Sequence, residues 1–260
     1  LQNKMTSHVK PLTLTGTVAV VTGASSGIGE ATARQFAELG ATVVLAARRI
    51  DRLTQMAKEL GKQALAVEVD VADANAVQSL FDQVMSAYGR VDTLVNNAGV
   101  MLIGPAHMAP LDEWKQMVDV NVMGVLNCTK IALPYLVEAA KSAPRNVADI
   151  VNVSSVAGRK AQPGSAVYSA TKFAVGAFSD GIRQELASQH VRVTLVEPGF
   201  TDTELASHIN PVILEKMQAA MAQMPRMTAH EVADSISFAV TRPAGVSISE
   251  ILIRPTEQER

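Results

Sequence analysis

The chain has 260 residues, 48% hydrophobic and 18% charged, with a net charge of −2. That balance describes a packed globular chain. It excludes a disordered polymer, a nucleic-acid surface and a polybasic membrane contact.

Leu1–Lys4 precede Met5, fit a possible cloning scar and are left out of the fold argument, leaving 5–260 as one domain. Val18–Val21 is a valine-rich run that reads as a buried strand. The loop Thr22-Gly23-Ala24-Ser25-Ser26-Gly27-Ile28-Gly29 follows it, then a helix from about Ile28 to Leu39 stopped by Gly40. The pattern repeats: strand Thr42–Ala46, helix Ile50–Leu60, strand Ala64–Val69 ending at Asp70, helix Ala74–Tyr88, strand Val91–Val95 running into Asn96-Asn97-Ala98-Gly99. A long helical region, Leu111–Ala140, should be broken or kinked at Pro134. Strand Asp149–Val153, helix Tyr168–Gln189 and strand Val191–Val196 come next. Helical segments near Ile213–Ala222 and Ala229–Val240 and a short strand, Glu250–Ile253, complete the chain. No apolar run reaches the roughly 18 residues of a spanning helix, and no signal-peptide pattern stands near the start. The single cysteine, Cys128, lies in an apolar helical stretch and reads as a small core hydrophobe. A lone thiol fits a reducing compartment, so the expectation is a cytoplasmic protein.

Strands alternating with helices predict an α/β fold, a doubly wound parallel sheet of about seven strands covered on both faces. Ligands of such sheets bind beyond the carboxyl ends of the strands. The glycine loop, Asp70, Asn96–Gly99, Ser155 and Pro198-Gly199 all fall there. Gly23, Gly27 and Gly29 between a strand and a helix suit a pyrophosphate at the helix N-terminus. A P-loop is excluded, because Glu30 stands where lysine is needed. Two hydrolase patterns also occur. Gly23-Ala24-Ser25-Ser26-Gly27 matches a nucleophile elbow but has no obvious histidine partner, though His230 could serve in principle; Ser169-x-x-Lys172 lacks its companion motifs. His230-Glu231 does not continue to a second histidine, so no metal site is expected.

Tyr168 and Lys172 are four apart on one predicted helix and share a face. A neighbouring ammonium favours phenolate and so should lower the tyrosine pKa. With the Ser155 hydroxyl at a strand end, such a tyrosine can give or take a proton at a carbonyl or alcohol.

Taken together, Thr22–Gly29, Asp70-Val71, Asn96–Gly99, Asn121 with Gly124, Ser155, Tyr168-x-x-x-Lys172 and Pro198-Gly199 with Thr203 resemble the short-chain dehydrogenase/reductase family, in its single-domain branch. The tail Glu250–Thr256 is loosely similar to that of bacterial 3-hydroxy acid and clavulanate-type dehydrogenases. The resemblance implies a nicotinamide cofactor and oxidation of alcohols or reduction of carbonyls. It implies Asn121, Ser155, Tyr168 and Lys172 as a catalytic tetrad. Tyr168 is then the acid/base, Ser155 the holder of the substrate oxygen, Lys172 the ribose ligand and Asn121 the holder of a water. Cofactor contacts follow at Gly23, Ser25, Ser26, Gly27, Ile28 and Gly29, at Asp70 and Val71 for adenine, and at Asn97, Ala98 and Gly99. Pro198, Gly199, Phe200, Thr201 and Thr203 are implied for the nicotinamide. A non-catalytic NADP sensor on the same fold stays open, and a serine hydrolase using Ser25 is the remote alternative.

NAD sites on this fold place an acid at the end of the second strand. This chain has Ala47-Arg48-Arg49 instead. Guanidinium groups suit a ribose 2′-phosphate, so the expected cofactor is NADP(H), with Arg48 as the main contact and Ser25 assisting. Apolar residues around Leu111–Ala140 (Met117, Val120, Val125, Ile131) and Tyr168–Gln189 (Phe173, Val175, Phe178) predict a homo-oligomer. In the resembling family these helices pair across a two-fold, which implies a tetramer. A Met-rich stretch within Glu204–Met227 is the expected substrate loop, and its occupant, a small carbonyl or alcohol, is not specified further by the sequence.

Overall fold

The structure is a computed structural model, and it describes residues 13–205 and 225–258. The helix expected near Ile213–Ala222 and most of the Met-rich stretch lie outside the described residues.

Seven strands form one parallel sheet. They are β1 (Val18–Thr22), β2 (Thr42–Ala47), β3 (Ala64–Glu68), β4 (Thr93–Asn96), β5 (Ala148–Val153), β6 (Val191–Pro198) and β9 (Glu250–Ile253). Their spatial order is β3-β2-β1-β4-β5-β6-β9. Parallel register pairs Val20 of β1 with Val44 of β2 on one side and Leu94 of β4 on the other. The order reverses between β1 and β4, which opens a crevice at their carboxyl ends. A second, two-stranded parallel sheet joins β7 (Thr201–Asp202) to β8 (Met227–Thr228).

The central strands are largely apolar because each faces two cores. Val18, Val20, Val44 and Ile150 point to one side, against α3 (Ala74–Tyr88), α5 (Gly124–Ala140) and α6 (Ala166–Leu186). Ala19, Val21, Val43 and Val151 point to the other, against α1 (Gly27–Glu38), α2 (Ile50–Leu60) and α7 (Ala229–Val240). Phe81 and Phe36 are fully buried, one in each layer.

Local signals set the helix ends. Asp73 caps α3 by accepting from the amides of Asn75 and Ala76. Thr228 and Glu231 form a reciprocal capping box on α7. The long helical region departs from expectation. Pro134 lies inside α5, which continues past it to Ala140. The irregularity comes earlier, where α4 (Leu111–Val118) passes into a π-helical turn at Asp119–Met123 before α5 begins. Leu111–Ala140 is long and apolar enough to cross a membrane by length and composition, though charged residues interrupt its apolar run. It lies against the sheet, with Cys128, Ala132 and Leu136 buried. Burial pushes the Cys128 thiol up to about 12, as befits a core hydrophobe.

Candidate active site

All the predicted site residues except Gly29 and Asn121 line one cleft of about 660 Å³ at the carboxyl edge of the sheet. That volume is within the usual range for small-molecule sites.

The β1–α1 turn forms its floor. A Cβ at Gly29 would lie 2.4 Å from the Gly23 carbonyl oxygen and 2.5 Å from Asn97 Nδ2, so only glycine lets the turn close this tightly. Asn97 braces it: Nδ2 donates to the carbonyls of Thr22 (3.0 Å) and Gly23 (3.3 Å). The Thr22 hydroxyl accepts from the amides of Asn97 and Ala98. Asp70 accepts from the Ala72 amide, which fixes the turn after β3. Val71 touches Gly124, where a Cβ would come within 2.6 Å of Val71 Cγ2. This donor-rich, side-chain-poor turn at a helix N-terminus fits a dinucleotide pyrophosphate.

The second strand ends as expected without an acid, but the two arginines differ. Arg49 holds the N-cap position of α2 and turns back over the glycine loop. Its Nε donates to Ser25 Oγ (3.0 Å), Nη2 to Ser26 Oγ (2.7 Å) and Nη1 to Glu204 Oε2 (2.7 Å). Arg48 lines the cleft but makes no side-chain hydrogen bond among the described residues. Arg49 is thus the arginine anchored over the glycine loop, and Arg48 lies exposed beside it. Arg52 donates to the other Glu204 oxygen at 2.7 Å. These guanidinium groups hold the Glu204 carboxyl down at about 2.

At the other end, Tyr168 and Lys172 sit on one face of α6, with Nζ 5.7 Å from the ring centroid. Both are buried. Lys172 Nζ donates to the Val153 carbonyl at 2.9 Å. Burial pushes the Tyr168 phenol up to about 12, while its hydrogen bond with Ser155 pulls the other way. Burial pushes the Lys172 ammonium down to about 8. The phenol is thus raised rather than lowered, because desolvation outweighs the Ser155 hydrogen bond. Ser155 lies two residues beyond β5, caps the short turn Val156–Gly158 and accepts from the Ala157 amide at 3.1 Å. Ser154 bonds the Lys172 carbonyl instead, a packing role.

Asn121 sits in the π-turn beneath the cleft. Its Oδ1 accepts from the Val100 amide at 2.8 Å, and Nδ2 donates to the Val100 carbonyl and to Thr171 Oγ1. A Cβ at Gly99 would meet Asn121 Oδ1 at 3.3 Å and Lys172 Nζ at 3.8 Å, so this glycine keeps the tetrad side chains close. The hydrolase patterns do not assemble. Arg49 engages Ser25, and Ser169 Oγ pairs with Ser165 Oγ rather than with Lys172.

Several site residues escaped the sequence reading. Glu204 and Arg52 had no motif to reveal them. Gln258 lines the cleft, and its Oε1 accepts from the Phe200 amide at 2.9 Å. Arg159 lines the cleft as well and pairs with Glu197, which is only 2% exposed. An acid inside an apolar strand requires a partner, and that signal at Glu197 was readable.

Comparison with known proteins agrees with this geometry. The short chain dehydrogenase family model matches residues 17–213. Sulfoacetaldehyde reductase 2 of Chromohalobacter salexigens is 38% identical over 93% of this chain and 95% of its own. A closed form of serine dehydrogenase complexed with NADP+ superposes with a TM-score of 0.87 at 32% identity, covering 94% of this chain and 96% of that one. A 3-ketoacyl-(acyl-carrier-protein) reductase from Brucella melitensis complexed with NADH gives 0.83 at 29% identity, covering 94% and 99%.

Proposed function

The chain belongs to the short-chain dehydrogenase/reductase family, and from that premise we propose that it is an NADP(H)-dependent oxidoreductase acting on a carbonyl or secondary alcohol. One observation carries the reading: Ser155, Tyr168 and Lys172 line the same cleft as the glycine loop and Arg49. A bound nicotinamide would supply or accept the hydride. The glycine loop, Asp70 and Asn97–Gly99 hold its adenosine diphosphate half. Arg49, Ser25 and Ser26 take the 2′-phosphate, with Arg48 adding charge at the rim. Pro198–Thr203 flank the nicotinamide end.

The chain's own groups then handle the proton. At neutral pH a phenol near 12 is protonated, so Tyr168 is poised to donate to a carbonyl oxygen held by Ser155. Lys172 is cationic below about 8 and stabilises negative charge developing on the phenol oxygen. The Asn121 carboxamide is committed to Val100 and Thr171, so a water-holding role passes to its main chain.

Lys160 and Arg254 line the cleft and favour a small carbonyl compound that carries an anionic group, whereas Arg159 there is paired with Glu197 and Glu250. The sulfoacetaldehyde reductase and serine dehydrogenase relatives support the same class. A homo-oligomer is part of the proposal, with one correction. Met117, Val125 and Val175 are buried within the chain, whereas Val118, Met123 and Phe173 are the exposed apolar residues on those helices. The reading is tested by following nicotinamide absorbance with NADPH or NADH and a panel of neutral and anionic aldehydes and ketones. Turnover with NADPH and an anionic carbonyl supports it; tighter binding of NADH than of NADPH refutes the cofactor assignment.

A further inference from the structure

Glu204 has no role in the cofactor contacts above, yet it holds the guanidinium group they need. Its Oε2 is 2.7 Å from Arg49 Nη1 and its Oε1 is 2.7 Å from Arg52 Nη1. Ser26 also hydrogen-bonds it. One carboxylate therefore gathers two guanidinium groups and a hydroxyl, a donor set suited to a phosphate monoester. The contact spans the cleft. Arg49 stands at the adenosine end, and Glu204 follows directly on Thr201 and Thr203 at the nicotinamide end. Thr203 itself lies over the glycine loop, where a Cβ at Gly27 would be 3.1 Å from Thr203 Cγ2.

We propose that Glu204 is a built-in counter-ion of the 2′-phosphate pocket, which competes with the cofactor's phosphate for Arg49 and so sets the affinity for NADP(H). Two anions within bonding reach of one guanidinium repel each other, so phosphate and carboxylate do not share Arg49. The two carboxylate oxygens are held by different arginines. Glu204 can release Arg49 and stay on Arg52, which makes the exchange a hand-over within the described segment. Because the Glu204 carboxyl is held near 2, the competitor remains ionised throughout the physiological range. Glu204 is thus a specificity-determining residue: it lowers affinity for the phosphorylated ribose and has no phosphate to oppose in NAD(H).

The inference rests on the NADP(H) reading, and the test separates the two. Calorimetric titration of the full chain uses 2′,5′-ADP and 5′-AMP as probes, which need no turnover. Wild type is expected to prefer 2′,5′-ADP. Glu204→Gln keeps the side-chain shape and removes the charge. It should tighten 2′,5′-ADP by roughly fivefold, the range of one exposed ion pair, and leave 5′-AMP unchanged. In an Arg49→Ala background the same substitution should have no effect, because the competition acts through Arg49. If wild type prefers 2′,5′-ADP but Glu204→Gln leaves it unchanged or weakens it, the counter-ion idea fails and the cofactor reading stands. If Glu204→Gln weakens 5′-AMP alone, the carboxylate serves the ribose hydroxyls and the proposal is overturned. If wild type shows no preference, the cofactor reading fails and takes the inference with it.

Discussion

Replacing Arg49 with alanine should weaken NADPH far more than replacing Arg48. Arg49 is anchored over the loop by Ser25 and Ser26, so its planar fork is already oriented toward a phosphate. A charge-assisted hydrogen bond contributes about 1.5–3 kcal/mol. Against this stands the exchange of its pair with Glu204; both side chains are 45% exposed, and such a pair contributes about 0.2–1 kcal/mol. The net loss for Arg49→Ala is about 2 kcal/mol, roughly a thirtyfold rise in the NADPH dissociation constant. Arg48, exposed and without a hydrogen bond to the loop, should cost about twofold through loss of charge alone. NADH affinity should change little in either variant. Fluorescence titration of both variants with both cofactors decides the matter. An Arg49→Ala protein that binds NADPH like wild type, or an Arg48→Ala protein that is the weaker of the two, refutes the assignment.

Lys172→Met should stabilise the protein at neutral pH. The folded ammonium sits near 8, below its ordinary 10.5. Below pH 8 the lysine is protonated folded and unfolded alike, and burying the charge costs about 3 kcal/mol. Between pH 8 and 10.5 the folded lysine sheds its proton first and the penalty fades. Allowing about 1 kcal/mol for the lost bond to Val153, the Met variant should lead by about 1–2 kcal/mol at pH 7 and lose its lead by pH 10.5 in urea unfolding. A constant difference across that range contradicts the buried-ammonium argument. Carbonyl reduction by wild type should also fall as pH rises through about 8, where Lys172 loses its charge; a rate flat to pH 10 would show that the ammonium is dispensable. Gly29→Ala forces a methyl onto backbone at 2.4 Å and should destabilise by about 1–3 kcal/mol while weakening either nicotinamide dinucleotide. Unchanged stability and affinity would remove the close-approach account of the loop.

The strands were legible because a sheet buried on both faces demands unbroken apolar runs, as in Val18–Val21 and Val43–Ala46. The edge residues were legible because glycines and small polar residues interrupt those runs where strands end. Helical spacing placed Tyr168 and Lys172 on one face, but spacing says nothing about depth, and depth sets the direction of the tyrosine shift. Pro134 read as a break or a kink, and of the two a break is excluded: a helix loses only local hydrogen bonds at proline, and packing on the sheet carries α5 through it. The choice between Arg48 and Arg49 turns on where α2 begins, a boundary one residue wide. Glu204, Arg52 and Gln258 were invisible because their partners are remote in sequence and no periodicity marks them.

The central claim is that Tyr168 delivers the proton at a carbonyl held in this cleft. Tyr168→Phe removes one hydroxyl from a residue 5% exposed and keeps the ring that packs against Met117 and Val100. NADPH binding and the turnover of a confirmed carbonyl substrate should be measured on the same preparation. The account predicts cofactor affinity within about threefold of wild type and a rate lower by at least about a hundredfold, the scale of lost general acid catalysis. A Tyr168→Phe protein that binds NADPH and turns over near the wild-type rate would contradict it.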